Sequence, residues 1–469
     1  MAKAPIVVIG AGITGLVVAW RLKQRGIPVL LREACERVGG CISTQSRVLE
    51  SGEWRWEEGP NSFTPTPALL QVIAELGLGE DLLLADPKLP RFIYWDGSLE
   101  SVPLTPTQAL GSRLLTLGGK LRALRGILGF VLPPQSAEET VREFFTRHLG
   151  SQVFQRLVQP FVSGVYAGDP EHLSAQAAFR RFVSLEQTYG GLLAGSLKAP
   201  RGKVSPSPIP TRRGQLGNFR LGMAQLPQAL AQQLHPELAC GWQVKQIEPL
   251  EPSQISGEKG YQIHFHTPSG LQTLEASQVV LTTPAYIAAQ VLPDNPKVQE
   301  ALMQIPYPPV AVVALGYPET ALPQPLRGFG HLIPRAEAER QGLRSLGTIW
   351  LSSLFPGRAP QGYHLLLTFV GGATDPDILH LTPQERAALV HRDLTKILLT
   401  RPTDPIVLGE KLWPQAIPQY TLGHEQRWQQ IQQQLPPGIH LCTNAKDGVS
   451  LGDCVQRAEH LAHRLAAVS

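Results

Sequence analysis

A glycine-rich turn near the start of the chain is the segment whose residue types and spacing most directly predict chemistry. It reads Gly10-Ala11-Gly12-Ile13-Thr14-Gly15 and lies between a short apolar run and a helical stretch. The first glycine permits a tight turn, the second lets the backbone approach a pyrophosphate, and the third lets helix and strand pack closely. The free N–H groups at the start of such a helix attract phosphate. The turn therefore predicts a dinucleotide-binding site.

An acidic residue follows at the position where such a site needs one. Glu33 comes directly after the second predicted strand, 18 residues beyond Gly15. A carboxylate there accepts hydrogen bonds from the ribose hydroxyls of a bound dinucleotide. Strand, turn, helix, strand and acid in register favour a nucleotide-binding domain over a chance glycine turn.

The elements that must position these residues alternate between strand and helix. Ile6-Val7-Val8-Ile9 is a continuous apolar run, typical of a central parallel strand. A helical region at 89–198 and a Pro/Ser-rich linker at 199–210 separate this opening from later strand-like segments. With 469 residues the chain exceeds what one hydrophobic core normally supports, so two or more domains are expected. The pattern predicts an α/β protein.

Composition excludes several other classes of protein. Lysine and arginine number 42 against 38 acidic residues, and a net charge of +4 gives no reason to expect nucleic acid as a partner. The five cysteines lack zinc or redox spacing, so we expect no metal and a reducing, cytoplasmic compartment. The chain enters a strand pattern at once and has no long uncharged apolar stretch. We therefore expect neither a targeting peptide nor a membrane span.

The residues after Glu33 resemble the flavin-contacting loops of the amine oxidase, phytoene desaturase and protoporphyrinogen oxidase superfamily. Glu33-Ala34-x-x-Arg37-x-Gly39-Gly40 is similar to that superfamily's dinucleotide-binding continuation, and Gly59-Pro60-Asn61-Ser62-Phe63 follows. The resemblance implies FAD as the cofactor, in a Rossmann-like FAD-binding domain of the GR2 type. In this part of the chain it assigns to FAD the residues Gly10, Ala11, Gly12, Ile13, Thr14, Gly15, Glu33, Ala34, Arg37, Gly39, Gly40, Cys41, Glu58, Gly59, Pro60 and Asn61.

Further motifs, in the expected order along nearly the whole chain, narrow the resemblance to protoporphyrinogen oxidases of the plastid and cyanobacterial type. They include Gly164-Val165-Tyr166-Ala167-Gly168-Asp169-Pro170, Gly328-Phe329-Gly330-His331-Leu332 and Ala416-Ile417-Pro418-Gln419-Tyr420. By that resemblance Val244 contacts the adenine side of FAD, and Trp413 and the Val449-Ser450-Leu451 backbone lie against the flavin. The resemblance assigns to the substrate pocket Asn61, Arg91, Gly168, Leu332, Ile349 and Phe369. Asn61 either hydrogen-bonds near the flavin or caps a turn.

The physical character of these residues suits a porphyrinogen, a large apolar ring with carboxylate tails. Such a ligand needs apolar walls and a fixed cation at the mouth of its pocket. The planar fork of Arg91 matches a propionate bidentately, although a solvated surface arginine is the alternative. Core packing explains Leu332, Ile349 and Phe369 as readily as pocket lining does. His172, His331 and His424 are the candidate bases, and each is more typical of a structural histidine.

The implied enzyme performs the oxygen-dependent six-electron oxidation of protoporphyrinogen IX to protoporphyrin IX in haem and chlorophyll biosynthesis. FAD carries the redox chemistry, and dioxygen becomes hydrogen peroxide. The alternatives are a coproporphyrinogen III oxidase of the same fold, an oxidase acting on amines or carotenes, and a non-catalytic carrier similar to GDP-dissociation inhibitors. Two departures from the family pattern affect the flavin's surroundings, namely Cys41 and the stretch 442–448.

Three units are expected along the chain. They are an FAD-binding domain (1–88, 205–285 and 436–469), a mixed-sheet substrate domain (89–98 and 286–435) and a helical insertion (99–204). Between Glu100 and Glu138 the insertion has no acid, but it carries the bases Arg113, Lys120, Arg122 and Arg125 interleaved with leucines. This pattern predicts a cationic amphipathic helix on a membrane surface, and therefore peripheral attachment. A helix that packs its leucines on its own domain is the alternative. A homodimer is also possible.

Overall fold

The structure is a computed structural model that describes residues 4–191, 207–250, 260–293, 295–323 and 325–468. Within these ranges the chain forms two main sheets and a group of helices inserted between strands of the second. The predicted domain boundary at residue 204 and most of the predicted linker lie outside the described residues. The predicted α/β class with a mixed second sheet is confirmed.

The elements are numbered in chain order. The strands are β1 (Ile6–Ile9), β2 (Val29–Arg32), β3 (Thr44–Leu49), β4 (Gly52–Glu57), β5 (Leu82–Leu84), β6 (Arg91–Trp95), β7 (Ser98–Ser101), β8 (Gly217–Phe219), β9 (Leu238–Ala239), β10 (Gln243–Leu250), β11 (Gly260–Thr267), β12 (Gly270–Ala276), β13 (Gln278–Leu281), β14 (Val310–Pro318), β15 (Gly330–Leu332), β16 (Ser345–Trp350), β17 (Tyr363–Gly371), β18 (Ile406–Trp413) and β19 (Ile439–Leu441). The α-helices are α1 (Ile13–Gln24), α2 (Pro67–Glu75), α3 (Pro106–Gly111), α4 (Leu117–Ile127), α5 (Val141–Leu149), α6 (Ser151–Val153), α7 (Gln159–Tyr166), α8 (Ala175–Ala178), α9 (Arg180–Tyr189), α10 (Gln225–Gln232), α11 (Ala285–Val291), α12 (Pro296–Met303), α13 (Arg335–Gln341), α14 (Leu351–Leu354), α15 (Pro383–Ile397), α16 (His424–Gln434) and α17 (Leu451–Val468). A π-helical turn, Phe154–Val158, joins α6 to α7, and two short 3₁₀ turns span Glu319–Ala321 and Pro376–His380.

The first sheet is parallel and has the strand order β19-β13-β1-β2-β9. Val7 and Val8 of β1 are fully buried because both faces of the sheet are covered. Helices α1, α2, α10 and α17 pack on one face, and β10–β12 with α11, α12 and α16 contribute to the core on the other. Helices α11, α12 and α16 therefore join the core of this sheet, although they lie in the range predicted for the substrate domain.

The second sheet is mixed, with the order β18-β14-β17-β16-β15-β6-β7. Its strands pair antiparallel except β15 with β6. Helix α15 contributes to a continuous apolar core on one face, around Val313, Leu366 and Val390. Strand β4 and helix α14 contribute to the apolar core on the opposite face, where Ile349, Phe369 and Trp413 stay only half-buried.

The helical insertion has its own aromatic core, around Phe144, Phe145 and Phe179. Helix α4 packs closely on α5, since a Cβ at Gly126 would overlap the carbonyl oxygen of His148. None of the helices in the described ranges combines the length and apolarity needed to cross a bilayer.

Candidate active site

The glycine turn has the geometry that a dinucleotide requires. Gly10 has φ +102°, which favours glycine, and a Cβ at Gly15 would overlap the carbonyl oxygen of Gly10. A Cβ at Gly12, by contrast, would meet no atom within 4 Å. Helix α1 begins at Ile13 without a side-chain cap. Open space therefore lies in front of uncapped N–H groups, and a phosphate fits there.

Glu33 lies directly against this turn. Its Oε2 accepts a 2.6 Å hydrogen bond from the Ala11 N–H, and its Oε1 accepts one of 2.9 Å from Cys35 N–H. Thr282 closes the other side, because its hydroxyl donates to the carbonyls of Ile9 (2.9 Å) and Gly10 (2.8 Å). The carboxylate and the predicted phosphate site are thus parts of one rigid turn.

Two more predicted glycine segments converge on the same place. The N–H of Gly39 donates to the Ala11 carbonyl at 2.8 Å, and a Cβ at Gly40 would lie 3.3 Å from the Gly12 Cα. A Cβ at Gly59 would overlap the carbonyl oxygen of Cys41. Arg37 shapes this loop by donating to the carbonyls of Val38, Gly40 and Ile42 at 3.2, 2.8 and 3.2 Å.

Cys41 lies beside these glycines, since a Cβ at Gly59 would overlap its carbonyl oxygen. The residue is solvent-accessible, yet desolvation raises the pKa of its thiol to about 11. Cys454 also raises this pKa, so the Cys41 thiol lies near the first turn of α17. The glycine turn, Glu33, the Gly39-Gly40 pair and Gly59 therefore lie close together, and that they hold FAD stays a prediction.

The C-terminal residues predicted for FAD reach the same region. Helix α17 packs on α1, and its Cys454 thiol hydrogen-bonds Thr14. Ser450 caps this helix, because its Oγ accepts from the Asp453 N–H at 3.2 Å. We call residues 442–451, which precede and begin this helix, the flavin loop. Trp413, at the end of β18, donates from Nε1 to the Glu58 carbonyl at 2.7 Å. Val244 packs in the apolar core around β10 and β11, and its contact with adenine stays a prediction.

The second sheet brings the predicted substrate residues onto one face. Phe369 lies opposite Gly347, which lies opposite Leu332. Ile349 is two residues from Gly347 in β16, and it lies opposite Gly330, which pairs with Arg91. Paired residues share a face, as do residues two apart in a strand. Trp413 is on this face too, since it pairs with Val310 of β14. We call it the ring face.

The ring face is partly exposed where these side chains lie. Leu332, Ile349 and Phe369 are half-buried, whereas Leu365 and Leu367 farther along β17 are fully buried. Helix α7 passes over Leu332, since a Cβ at Gly164 would overlap its Cδ2. The segment 164–170, which we call the substrate loop, therefore lies next to the ring face.

Arg91 is a half-buried cation on the ring face. Its guanidinium lies 5.3 Å from the ring centroid of Phe329, and among the described residues it makes no hydrogen bond or ion pair. Desolvation lowers the pKa of Arg91, although an arginine stays protonated in proteins. A half-buried, unpaired guanidinium is costly unless a ligand anion pairs with it.

Asn61 accepts hydrogen bonds at both its backbone carbonyl and its side chain. Its carbonyl accepts a 2.7 Å bond from Asn218 Nδ2, and its Oδ1 accepts a 3.0 Å bond from the Ser62 hydroxyl. The Asn218 amide also bonds the carboxylate of Glu57, which is fully buried 4.0 Å from Arg358. Asn218 thereby fixes the residues on either side of the Gly59-Pro60 segment.

None of the three candidate histidines lies on the ring face. His331 points to the opposite face and is buried, and desolvation lowers its pKa to about 3. His424 is buried beside the flavin loop, and His172 is exposed. Across β6 and β14–β18, the described residues of the ring face include no carboxylate and no imidazole, whereas Glu100 of the edge strand β7 pairs with Ile93 and therefore lies on this face.

Sequence reasoning missed several residues that hold the site together. Gln419 donates from Nε2 to the Tyr166 carbonyl at 2.9 Å, and Tyr420 donates from its hydroxyl to the Asn444 carbonyl at 2.5 Å. Both belong to a motif that carries the family resemblance, but their bonding depends on segments far away in sequence. The buried pair Glu57–Arg358 had no sequence signal.

The chain is similar to known proteins over nearly its whole length. The family model described as flavin containing amine oxidoreductase matches residues 13–466. The chain is 41% identical over 485 residues to the chloroplastic protoporphyrinogen oxidase of Oryza sativa subsp. japonica, with 99% of this chain and 88% of the rice protein covered. It is 29% identical to coproporphyrinogen III oxidase of Bacillus subtilis (strain 168), with 97% of each chain covered. A solved structure of a putative protoporphyrinogen oxidase from Exiguobacterium sp. 255-15 matches with a TM-score of 0.78 at 24% identity, covering 100% of both chains, and so supports the fold.

Proposed function

The chain belongs to the flavin containing amine oxidoreductase family, and we propose that it oxidises protoporphyrinogen IX to protoporphyrin IX with FAD. The observation that carries this proposal is the 41% identity to a chloroplastic protoporphyrinogen oxidase over nearly the full chain. The ring face suits the reaction, because it offers apolar walls and one unpaired arginine to a ring with carboxylate tails.

The cofactor site is built from the glycine turn, Glu33 and the flavin loop. The uncapped N–H groups of α1 would hold the FAD pyrophosphate, and Glu33 would accept from the ribose. When bound, FAD supplies a two-electron acceptor that dioxygen regenerates, so that loss of six electrons and six hydrogens from the substrate is balanced by three O₂ becoming three H₂O₂.

On the substrate side, the protein's part is to position the ring and exclude water. Leu332, Ile349 and Phe369 would contact the macrocycle, and Arg91 would pair with a propionate. Since the described ring-face residues of β6 and β14–β18 include no acid or imidazole, we propose that pyrrole protons pass to water rather than to a side-chain base.

The test is anaerobic addition of protoporphyrinogen IX to the purified yellow protein, followed by admission of air. We expect the visible flavin absorption to bleach, and porphyrin fluorescence to develop faster than autoxidation allows. The same experiment with coproporphyrinogen III examines the alternative that the Bacillus subtilis relative suggests. Bleaching with coproporphyrinogen alone would reassign the substrate, and a protein that binds no flavin would contradict the oxidase.

We also propose that the insertion attaches the enzyme peripherally to a membrane. Three leucines of α4 point outward, with Leu117 74% exposed, Leu121 59% and Leu124 52%, whereas Leu114 before the helix is buried. Arg122 instead turns inward and donates to the carbonyls of Arg147 and His148 at 2.7 and 3.3 Å, which holds α4 on α5. Arg113 and Arg125 make no ion pair among the described residues and would meet anionic headgroups.

Flotation with anionic and neutral lipid vesicles tests this attachment. We expect the double variant Leu121→Asp/Leu124→Asp to lose binding to anionic vesicles. Leu271→Asp is the matched control, because Leu271 is a 78% exposed leucine on the β11–β12 hairpin. Equal loss in both variants, or none in the double variant, would contradict the proposal.

Three further expectations stay predictions. The three-part division of the chain is testable by limited proteolysis, which we expect to cut first near the predicted linker at 199–210. The possible homodimer is testable by sedimentation of the purified protein. A cytoplasmic location also stays a prediction.

A further inference from the structure

One short segment, residues 417–428, contacts both the substrate loop and the flavin loop. The segment is itself anchored, since the Gln419 N–H donates to the Pro306 carbonyl at 2.9 Å and the Tyr420 carbonyl accepts from Ser174 N–H at 2.8 Å. It therefore has a defined position between two loops that come from distant parts of the chain.

Gln419 holds the substrate loop. Its side chain is buried, and Nε2 donates to the carbonyls of Tyr166 and Ile417, each at 2.9 Å. The residue after Tyr166, Ala167, has φ +51°, which is unusual for a residue with a Cβ. A Cβ at Gly168 would overlap Gln419 Oε1. The Gln419 amide therefore fixes the turn 166–168, where a displaced backbone would move Gly168 relative to the ring face.

Tyr420 and its neighbours hold the flavin loop. Three successive carbonyls of that loop, at Asn444, Ala445 and Lys446, accept hydrogen bonds from Tyr420 (2.5 Å), Trp428 (3.0 Å) and His424 (3.1 Å). Desolvation lowers the pKa of His424 to about 4, so the ring is neutral and its Nε2 carries the proton that is donated. Desolvation also raises the pKa of Tyr420, so its hydroxyl remains a donor. These bonds lie in the stretch where the sequence departs from the family pattern.

We propose that Gln419 and Tyr420 are positioning residues, one for the substrate loop and one for the flavin loop. Because the two are consecutive, a single rigid segment fixes both loops relative to each other. Electron transfer between two bound molecules depends strongly on their relative placement, and a small misplacement is costly. This inference rests on the proposed function for the identity of the two ligands.

The experiment compares Tyr420→Phe and Gln419→Met as FAD-loaded proteins. Tyr420→Phe removes one hydroxyl, and we expect it to shift the flavin absorption maximum and midpoint potential while leaving the Kd for protoporphyrin IX within about twofold of the wild-type value. For Gln419→Met we expect an unchanged flavin spectrum and potential, but a roughly fivefold weaker Kd for protoporphyrin IX, measured by its fluorescence.

Tyr317→Phe is the matched control. Its hydroxyl is within 2.9 Å of His391 Nδ1 in the core on the face opposite the ring face, so it also loses one buried hydrogen bond. We expect its Tm to fall as in Tyr420→Phe, with neither flavin nor porphyrin readout changed. The proposal is overturned if Tyr420→Phe leaves the flavin spectrum and potential at wild-type values, if Gln419→Met leaves porphyrin binding unchanged, or if Tyr317→Phe moves the same readouts. If wild-type protein failed to oxidise any porphyrinogen, the proposed function would fail, while the flavin readout would still test Tyr420.

Discussion

The variant Arg91→Met tests whether Arg91 binds a propionate or is an ordinary surface arginine. Methionine keeps an apolar stem of similar reach but removes the charge and all the N–H donors. Within the described residues Arg91 makes no ion pair, and its nearest aromatic partner, Phe329, lies 5.3 Å from the guanidinium. The free energy of unfolding should therefore change by less than about 1 kcal/mol, the size of one exposed cation–π contact.

The effect on catalysis should be much larger. A hydrogen bond to a charged group is worth about 1.5–3 kcal/mol, and each 1.36 kcal/mol is about tenfold in rate. We therefore expect kcat/KM for protoporphyrinogen IX to fall roughly 10- to 150-fold. Arg91→Lys keeps the charge but loses the planar fork, so its loss should be smaller.

The assay is initial-rate porphyrin fluorescence, alongside urea unfolding to confirm that each variant is folded. Arg392→Met on α15 is the matched control, because that arginine is 55% exposed and belongs to the helix packed on the opposite face. A loss of less than about threefold in Arg91→Met would refute the propionate contact, since removing even a weak charge-assisted hydrogen bond costs more than that. So would an equal loss in Arg392→Met.

Three further predictions concern the cofactor and the folded state. Gly12→Val should fill the open space before α1 and leave the purified protein without FAD; Gly111→Val, also in open space, should retain flavin by absorbance. His331, with its pKa of about 3 in the fold, binds fewer protons than in the unfolded chain, so stability should fall as pH drops below about 6.5. His331→Phe should reduce the slope of the free energy of unfolding against pH, measured by urea unfolding between about pH 7 and pH 5. An unchanged slope would contradict this prediction. Arg358→Met should lower the free energy of unfolding by about 3 kcal/mol, because it leaves Glu57 buried without its cation. Adding Glu57→Gln to this variant should recover part of the lost stability, and additive losses in the double variant would contradict the prediction.

Local spacing was enough to predict the dinucleotide turn. Gly10, Gly12, Gly15 and Glu33 lie within one strand–helix–strand unit, so short-range geometry determines how they meet, and the structure places the Glu33 carboxylate on the Ala11 N–H. The apolar run at β1 likewise predicted a strand buried on both faces. The resemblance then supplied FAD and the class of substrate.

The residues alone were therefore enough to predict the nucleotide turn, the α/β class and the residue types that a porphyrinogen pocket needs. That Arg91, Leu332, Ile349 and Phe369 share one face emerges only in the fold, because it depends on strand register across four strands. The fold also turns Arg122 inward and joins Gln419 and Tyr420 to two distant loops. Such contacts depend on packing between distant segments, so residue type and spacing alone do not predict them.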